Sequence, residues 1–68
     1  MTEKQLLAVV RNCESIYDRE RGREETASGK EYREIIGSLE NENLHSLALL
    51  LNNYHFTGAR VYIKGLFA

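Results

Sequence analysis

Cys13, His45 and His55 are the cysteine and histidines of this 68-residue sequence, and they could carry nucleophilic or metal chemistry. A nucleophilic cysteine needs a lowered pKa, partial exposure and a nearby base, but Cys13 lies among apolar residues, where free cysteine usually fills a core. The two histidines are ten residues apart, which on one helix turns them about 80° away from a common face. No structural zinc spacing matches this set. We therefore predict no catalytic residue, no metal site and no cofactor.

The carboxylates and glycines add little support for an enzyme. Asp18 is the only aspartate, and the glutamates fall in charged segments, whereas catalytic carboxylates are tuned by burial and by their neighbours. The sequence contains no glycine-rich phosphate loop. A chain of this length also leaves little room for a walled pocket of roughly 300 Å³ or more. We therefore expect neither enzymatic activity nor a small-molecule substrate.

The densest basic group consists of Arg19, Arg21 and Arg23, but carboxylates lie among these arginines. Between residues 18 and 25, three positive charges meet four negative ones, which leaves a charge of −1. Such a mixture is typical of a salt-paired surface and not of a phosphate-binding track. We interpret residues 18–28 as a charged loop or a frayed helix end, and the three arginines as candidates for a secondary contact with a partner.

The spacing of the apolar residues predicts that helices position these side chains. In the first segment, apolar residues recur every three or four positions, as on one face of a helix. Thr2 and Gln5 have the spacing of a capping box at the start of that helix. Similar apolar spacing recurs in the later segments. We predict an all-α domain of three to four helices over residues 1–68, with helices at about 3–18, 29–40, 42–53 and, in one of two interpretations, 58–67.

Two parts of this assignment have alternatives. Residues 29–53 fit either one long helix or two helices with a turn between them, near Gly37–Ser38 or residues 40–43. Residues 58–67 fit a helix with one apolar face, although Arg60–Lys64 alternates like a β-strand. A lone strand would leave its backbone hydrogen bonds unmade, which favours the helix. We expect Ser28 with Glu31 to cap the second helix, Asn41 or Asn43 to cap the third, and Thr57 to cap the last. The third helix is expected to end in a left-handed conformation at Asn52 or Asn53.

The third predicted helix has more apolar residues than one buried face requires. Leu47 and Leu51 lie on that face, Leu50 widens it, and Leu49 lies nearly opposite. A helix that is apolar around most of its girth is a buried helix, and few other elements exist to cover this one. The aromatic residues that follow are of types enriched in interface cores. We therefore predict a protein interface whose candidate residues are Leu49, Leu50, Tyr54, Tyr62, Leu66 and Phe67.

These features favour a small non-enzymatic protein–protein interaction module, such as an adaptor, an inhibitor or a regulatory subunit. Its partner is expected to be another protein or a second copy of the chain, with a homodimer favoured. The alternative is a small helix-turn-helix-like DNA-binding transcriptional regulator, with its turn at Gly37–Ser38. The charges disfavour nucleic acid, since no lysine or arginine lies between Arg33 and Arg60. A recognition helix instead presents basic and polar groups to bases and phosphates.

The remaining features concern the cellular location. The N-terminus lacks the basic-then-apolar pattern of a signal peptide. The longest strictly apolar run covers residues 47–51, far short of the about 20 residues that span a bilayer. A free cysteine fits a reducing compartment. We predict a cytoplasmic protein that does not bind membranes. In size and composition it resembles small accessory proteins of bacteria and their phages, although no motif carries that resemblance.

Overall fold

Four helices form the regular structure of the described residues, 1–20 and 27–68, in this computed structural model. They are α1 (Glu3–Glu20), α2 (Ala27–Asn41), α3 (His45–Asn52) and α4 (Phe56–Leu66), and these ranges contain no strand. Each helix packs against the next along the chain, and α4 packs back against α1, so the four helices form a closed ring. The predicted all-α fold is therefore confirmed. Within the described ranges, no helix is long and apolar enough to cross a membrane.

The core lies at the centre of this ring and receives apolar side chains from all four helices. In α1 the buried positions recur at intervals of four, three and three residues, as one helical face requires. Each fully buried leucine or isoleucine contributes about 1.5–3 kcal/mol to the stability of the fold. The buried residues are Leu6, Val10, Cys13, Ile16, Tyr32, Ile36, Leu39, Leu47, Ala48, Leu51, Ala59 and Ile63.

The start of α1 is fixed by the capping box that the sequence predicts. The Gln5 backbone N–H donates to Thr2 Oγ1 at 3.1 Å, and the Thr2 backbone nitrogen donates to Gln5 Oε1 at 2.8 Å. These reciprocal bonds satisfy backbone donors that the first turn of a helix otherwise leaves unpaired.

The end of α2 is a Schellman turn, in which a left-handed residue lets the chain reverse after the helix. Asn43 has a φ of 62°, its backbone N–H donates to the Glu40 carbonyl at 3.0 Å, and the Leu44 N–H donates to the Leu39 carbonyl at 2.9 Å. Neither Asn41 nor Asn43 caps α3, because the N-cap position is Leu44 and no side chain bonds there. The predicted asparagine cap is therefore wrong.

The end of α3 repeats this geometry one residue later than the sequence predicts. Tyr54, and not Asn52 or Asn53, has the positive φ, at 61°. The Asn53 N–H still bonds helically to the Leu49 carbonyl at 3.1 Å, so the left-handed position falls on the next residue. The Tyr54 N–H then donates to the Leu51 carbonyl at 3.0 Å, and the following residue, His55, closes the turn.

These two turns correct the predicted boundaries. One helix over 29–53 is excluded because residues 42–44 form a turn, and Gly37–Ser38 lies inside α2 and not at the turn. The strand over Arg60–Lys64 is also excluded, because the second turn ends at His55 and α4 begins at Phe56. Thr57 therefore lies inside α4, and no side chain caps that helix.

The charged segment predicted over residues 18–28 is partly helical. Asp18–Glu20 belongs to α1, and α2 begins at Ala27, one residue before the expected cap at Ser28. Residues 21–26 lie outside the described part of the chain, and with them lie Arg21 and Arg23.

Candidate functional site

Cys13 is fully buried on the inner face of α1, as the sequence predicts. Burial is the main cause that raises the pKa of its thiol from 9.0 to about 11; a hydrogen bond with Tyr32 partly opposes this effect, and the charge of Glu31 adds to it. The Tyr32 hydroxyl donates to the Leu51 carbonyl, and burial also raises the pKa of that hydroxyl above its ordinary value. A thiol that is protonated near neutral pH and closed to solvent is in the environment of a structural cysteine.

The two histidines lie at the starts of two different helices. His45 opens α3, and its Nδ1 lies 4.0 Å from Glu40 Oε2, with both side chains more than half exposed. His55 is the N-cap residue of α4 and is exposed, without a side-chain capping bond. Among the described residues, no three His, Cys, Asp or Glu side chains group closely enough to hold a metal ion.

The predicted interface residues fall into two sets by exposure. Leu50 and Tyr62 are half-buried and pack against the core. Leu49 is 63% exposed on the outer side of α3, beside a shallow groove between α2 and α3. The remaining candidates are close to half exposed, and they are Tyr54, Leu66 and Phe67.

Within the described ranges, two of the large apolar residues that are exposed were missed in the sequence. Val61 is 68% exposed, and Met1 is also more than half exposed. Val61 precedes the buried Ile63 by two positions, which places it about 160° around the helix from that residue. Helical spacing from Ile63 could have identified Val61, once α4 was taken as a helix and not a strand.

The ion pairs between α1 and α4 show at which end of the molecule the exposed apolar residues lie. Lys64 Nζ lies 3.2 Å from Glu3 Oε2, and Arg60 pairs with Glu14 farther along α1. The two helices are therefore antiparallel, so the C-terminal end of α4 lies beside the start of α1. Leu66 and Phe67 are at that end of the molecule, as is Met1.

Tyr54 lies at the opposite end of α4, which is about 16 Å long. Its ring centroid is 4.7 Å from that of Tyr17 and 5.6 Å from that of Tyr32, and Tyr17 also contacts Phe56. A bulky side chain at positive φ is strained, and these ring contacts offset that strain. The predicted interface residues therefore do not form one continuous surface, because Tyr54 belongs to a separate aromatic cluster.

A groove of about 410 Å³ runs between α1 and α4 on the outside of the ring. Leu7 and Ala8 are the apolar residues that line it, here called its floor, and the other four lining residues are charged. Most of these charges are positive, although the chain as a whole has a net charge of −1. The residues that line the groove are Glu3, Lys4, Leu7, Ala8, Arg11 and Lys64.

Of the predicted secondary contact, only Arg19 lies in the described ranges, and its guanidinium is 3.8 Å from the Glu31 carboxylate. This pair joins α1 to α2 on the surface, where both side chains are about half exposed.

No family model, curated protein or solved structure matches the chain. We therefore infer function from the surface of the chain itself.

Proposed function

We propose that this chain is a small non-enzymatic protein–protein interaction module that associates with a second copy of itself through the C-terminal end of α4. The observation that carries this proposal is the exposure of Leu66 and Phe67, each 47% exposed, together with Met1 at the same end. Single exposed apolar residues are ordinary on protein surfaces, whereas a group of large ones is typical of interaction sites. Phenylalanine and methionine are also enriched in interface cores.

The size of the chain supports self-association. A domain of 68 residues buries only about 60% of the surface that its unfolded chain exposes. Small domains often gain stability from disulfides, metals or a second subunit, and the single cysteine excludes an internal disulfide. In a two-fold dimer every contact occurs twice. Phe67 is already about half buried in one copy, so burying the rest of this side chain in both copies would contribute about 1.5–3 kcal/mol before the costs of association.

An accessory role, as an adaptor, an inhibitor or a regulatory subunit, is the form of this function that we favour. The buried, protonated thiol of Cys13 and the shallow open grooves support the proposal that the chain is not an enzyme. The free cysteine also supports a cytoplasmic location.

A helix-turn-helix-like DNA-binding regulator is the second candidate. Its support is the three-residue turn between α3 and α4, a length found in such motifs. The small number of cations weighs against it, because α3 contains no lysine or arginine and α4 contains only Arg60 and Lys64. A recognition helix presents several basic and polar groups to bases and phosphates, so we rank this function below protein binding.

The proposed interface is tested by Phe67→Glu, which places a charge in the apolar end. We expect the variant to be monomeric by light scattering at concentrations where the unmodified chain is dimeric, because burying two unpaired carboxylates opposes association. Thr57→Glu is the matched control, since it adds the same charge to an exposed position at the other end of α4. Circular dichroism should remain helical for both variants. Loss of helicity in Phe67→Glu alone would show that Phe67 supports the fold, and equal dimerisation of both variants would exclude this interface.

A further inference from the structure

The groove between α1 and α4 is net positive, whereas the rest of the chain is net negative. Lys4, Arg11 and Lys64 contribute three positive charges, and Glu3 contributes one negative charge, which gives +2. The whole chain has a net charge of −1, so the rest of the molecule carries −3. The positive charge of the groove therefore results from the fold, which brings α4 beside α1.

Two of these cations are free to meet a partner. Lys4 and Arg11 are exposed and form no ion pair with any residue of the described ranges. Lys64 pairs with Glu3 across the groove, but its side chain is still 68% exposed. An exposed pair of this kind contributes only about 0–1 kcal/mol, so an incoming carboxylate can replace Glu3 at small cost.

The spacing of the two free cations suits a helix. Lys4 and Arg11 are seven residues apart on α1, which is two turns, or about 10.5 Å. Leu7 and Ala8 lie between them in the sequence and form the apolar part of the lining, and Lys64 lines the groove from α4. An amphipathic helix laid in such a groove would place its apolar face on Leu7 and Ala8 and its acidic residues, two turns apart, at the two free cations.

We propose that this groove docks an acidic amphipathic helix of another protein. Charge complementarity determines the partner's chemistry, because a basic rim around an apolar floor fits carboxylates beside an apolar stripe. A nucleic acid backbone would match the cations, but it would leave the apolar floor unused. This inference rests on the proposed interaction function, but it uses a different surface from Leu66 and Phe67.

The test uses a fluorescently labelled helical peptide of about 15 residues. The peptide carries glutamates two turns apart beside a leucine stripe, and the control peptide has glutamine at each glutamate. By fluorescence anisotropy, we expect the acidic peptide to bind the unmodified chain at least about tenfold more tightly than the control. The difference should shrink as salt rises, because these charges are exposed and screened.

The groove itself is tested by Ala8→Glu, which places a carboxylate on its floor at an exposed position. Ser46→Glu is the matched control, because it makes the same change in charge at an exposed position of α3, which does not line the groove. We expect Ala8→Glu to weaken peptide binding by about tenfold or more, and Ser46→Glu to change it by less than about threefold.

Each contrary outcome overturns the proposal in a recognisable way. Failure of the unmodified chain to bind the acidic peptide at low salt, or equal losses in Ala8→Glu and Ser46→Glu, would exclude the groove as its site. Tighter binding of a mixed-sequence DNA duplex, also lost in Ala8→Glu, would assign the groove to nucleic acid. Dissociation of the dimer by Ala8→Glu would assign it to a second copy. A dimer that Phe67→Glu disrupts, without peptide binding, would leave the proposed function intact and remove only this inference.

Discussion

At the scale of single residues, burial determines what Cys13 can do. The same side chain on a surface would be partly ionised near neutral pH, but here its pKa is about 11. Its apolar neighbours along α1 were enough to predict that it lies in the core. Its hydrogen-bonded partner Tyr32 was not predictable, because it comes from α2 and lies nineteen positions away along the chain.

The raised pKa of Cys13 predicts that the fold loses stability in alkaline solution. The folded chain holds this proton more tightly than the unfolded chain, whose thiol has its ordinary pKa of 9.0. The contribution of this thiol to the free energy of unfolding is therefore fully present below pH 9. It falls by about 1.4 kcal/mol per pH unit as the pH rises toward 11. Urea unfolding across this range should show a shallower decline for Cys13→Ala than for the unmodified chain. Parallel declines in the two proteins would contradict the assignment to the thiol.

The left-handed backbone at Tyr54 predicts that a glycine variant is more stable than an alanine variant. Both substitutions remove the ring contacts with Tyr17 and Tyr32, but only alanine keeps the strain of a φ of 61°. A left-handed L-residue costs about 1–2 kcal/mol, and glycine avoids this cost. In thermal or urea unfolding, Tyr54→Gly should therefore be more stable than Tyr54→Ala by about 1 kcal/mol. The reverse order would show that the backbone at this position is not left-handed.

At the scale of elements, apolar periodicity predicted the helices better than the turns between them. The predicted end of the first helix was within two residues of the observed one, because its apolar face continues without a break. The turns were placed less well, because a Schellman turn depends on backbone conformation and accepts several residue types. Asn43 fits the left-handed position by residue type, whereas no sequence rule selects a tyrosine for the second turn.

The interior of α2 and the turn that follows it predict opposite effects of alanine. Gly37 lies inside the helix, and a methyl group added there would meet nothing within 4 Å. Gly37→Ala should therefore stabilise the fold by about 0.5–1 kcal/mol. Asn43→Ala should destabilise it by a similar amount, since alanine tolerates the positive φ less well than asparagine. Urea unfolding of both variants tests the boundary of α2, and a loss of stability in Gly37→Ala would contradict an open, regular helix at that position.

At the scale of the whole molecule, the fold was predictable and the candidate site was only partly so. The all-α fold follows from periodic apolar faces, whereas the exposure of a side chain depends on which helices cover it. Leu49 was correctly placed on the outer side of α3, but Tyr54 and Phe67 lie at opposite ends of α4 and could not be separated by spacing alone. The basic groove was missed because its charges come from distant segments, with Lys4 and Arg11 on α1 and Lys64 on α4.

The central claim is that the apolar end of α4 joins two copies of the chain. The most direct test is the molar mass in solution, measured by light scattering over a concentration series. We predict a rise from 7.8 kDa to twice that mass with increasing concentration, and no rise for Phe67→Glu. A mass of 7.8 kDa at every concentration would contradict the claim, and the exposed residues Leu66 and Phe67 would then not join two copies of this chain.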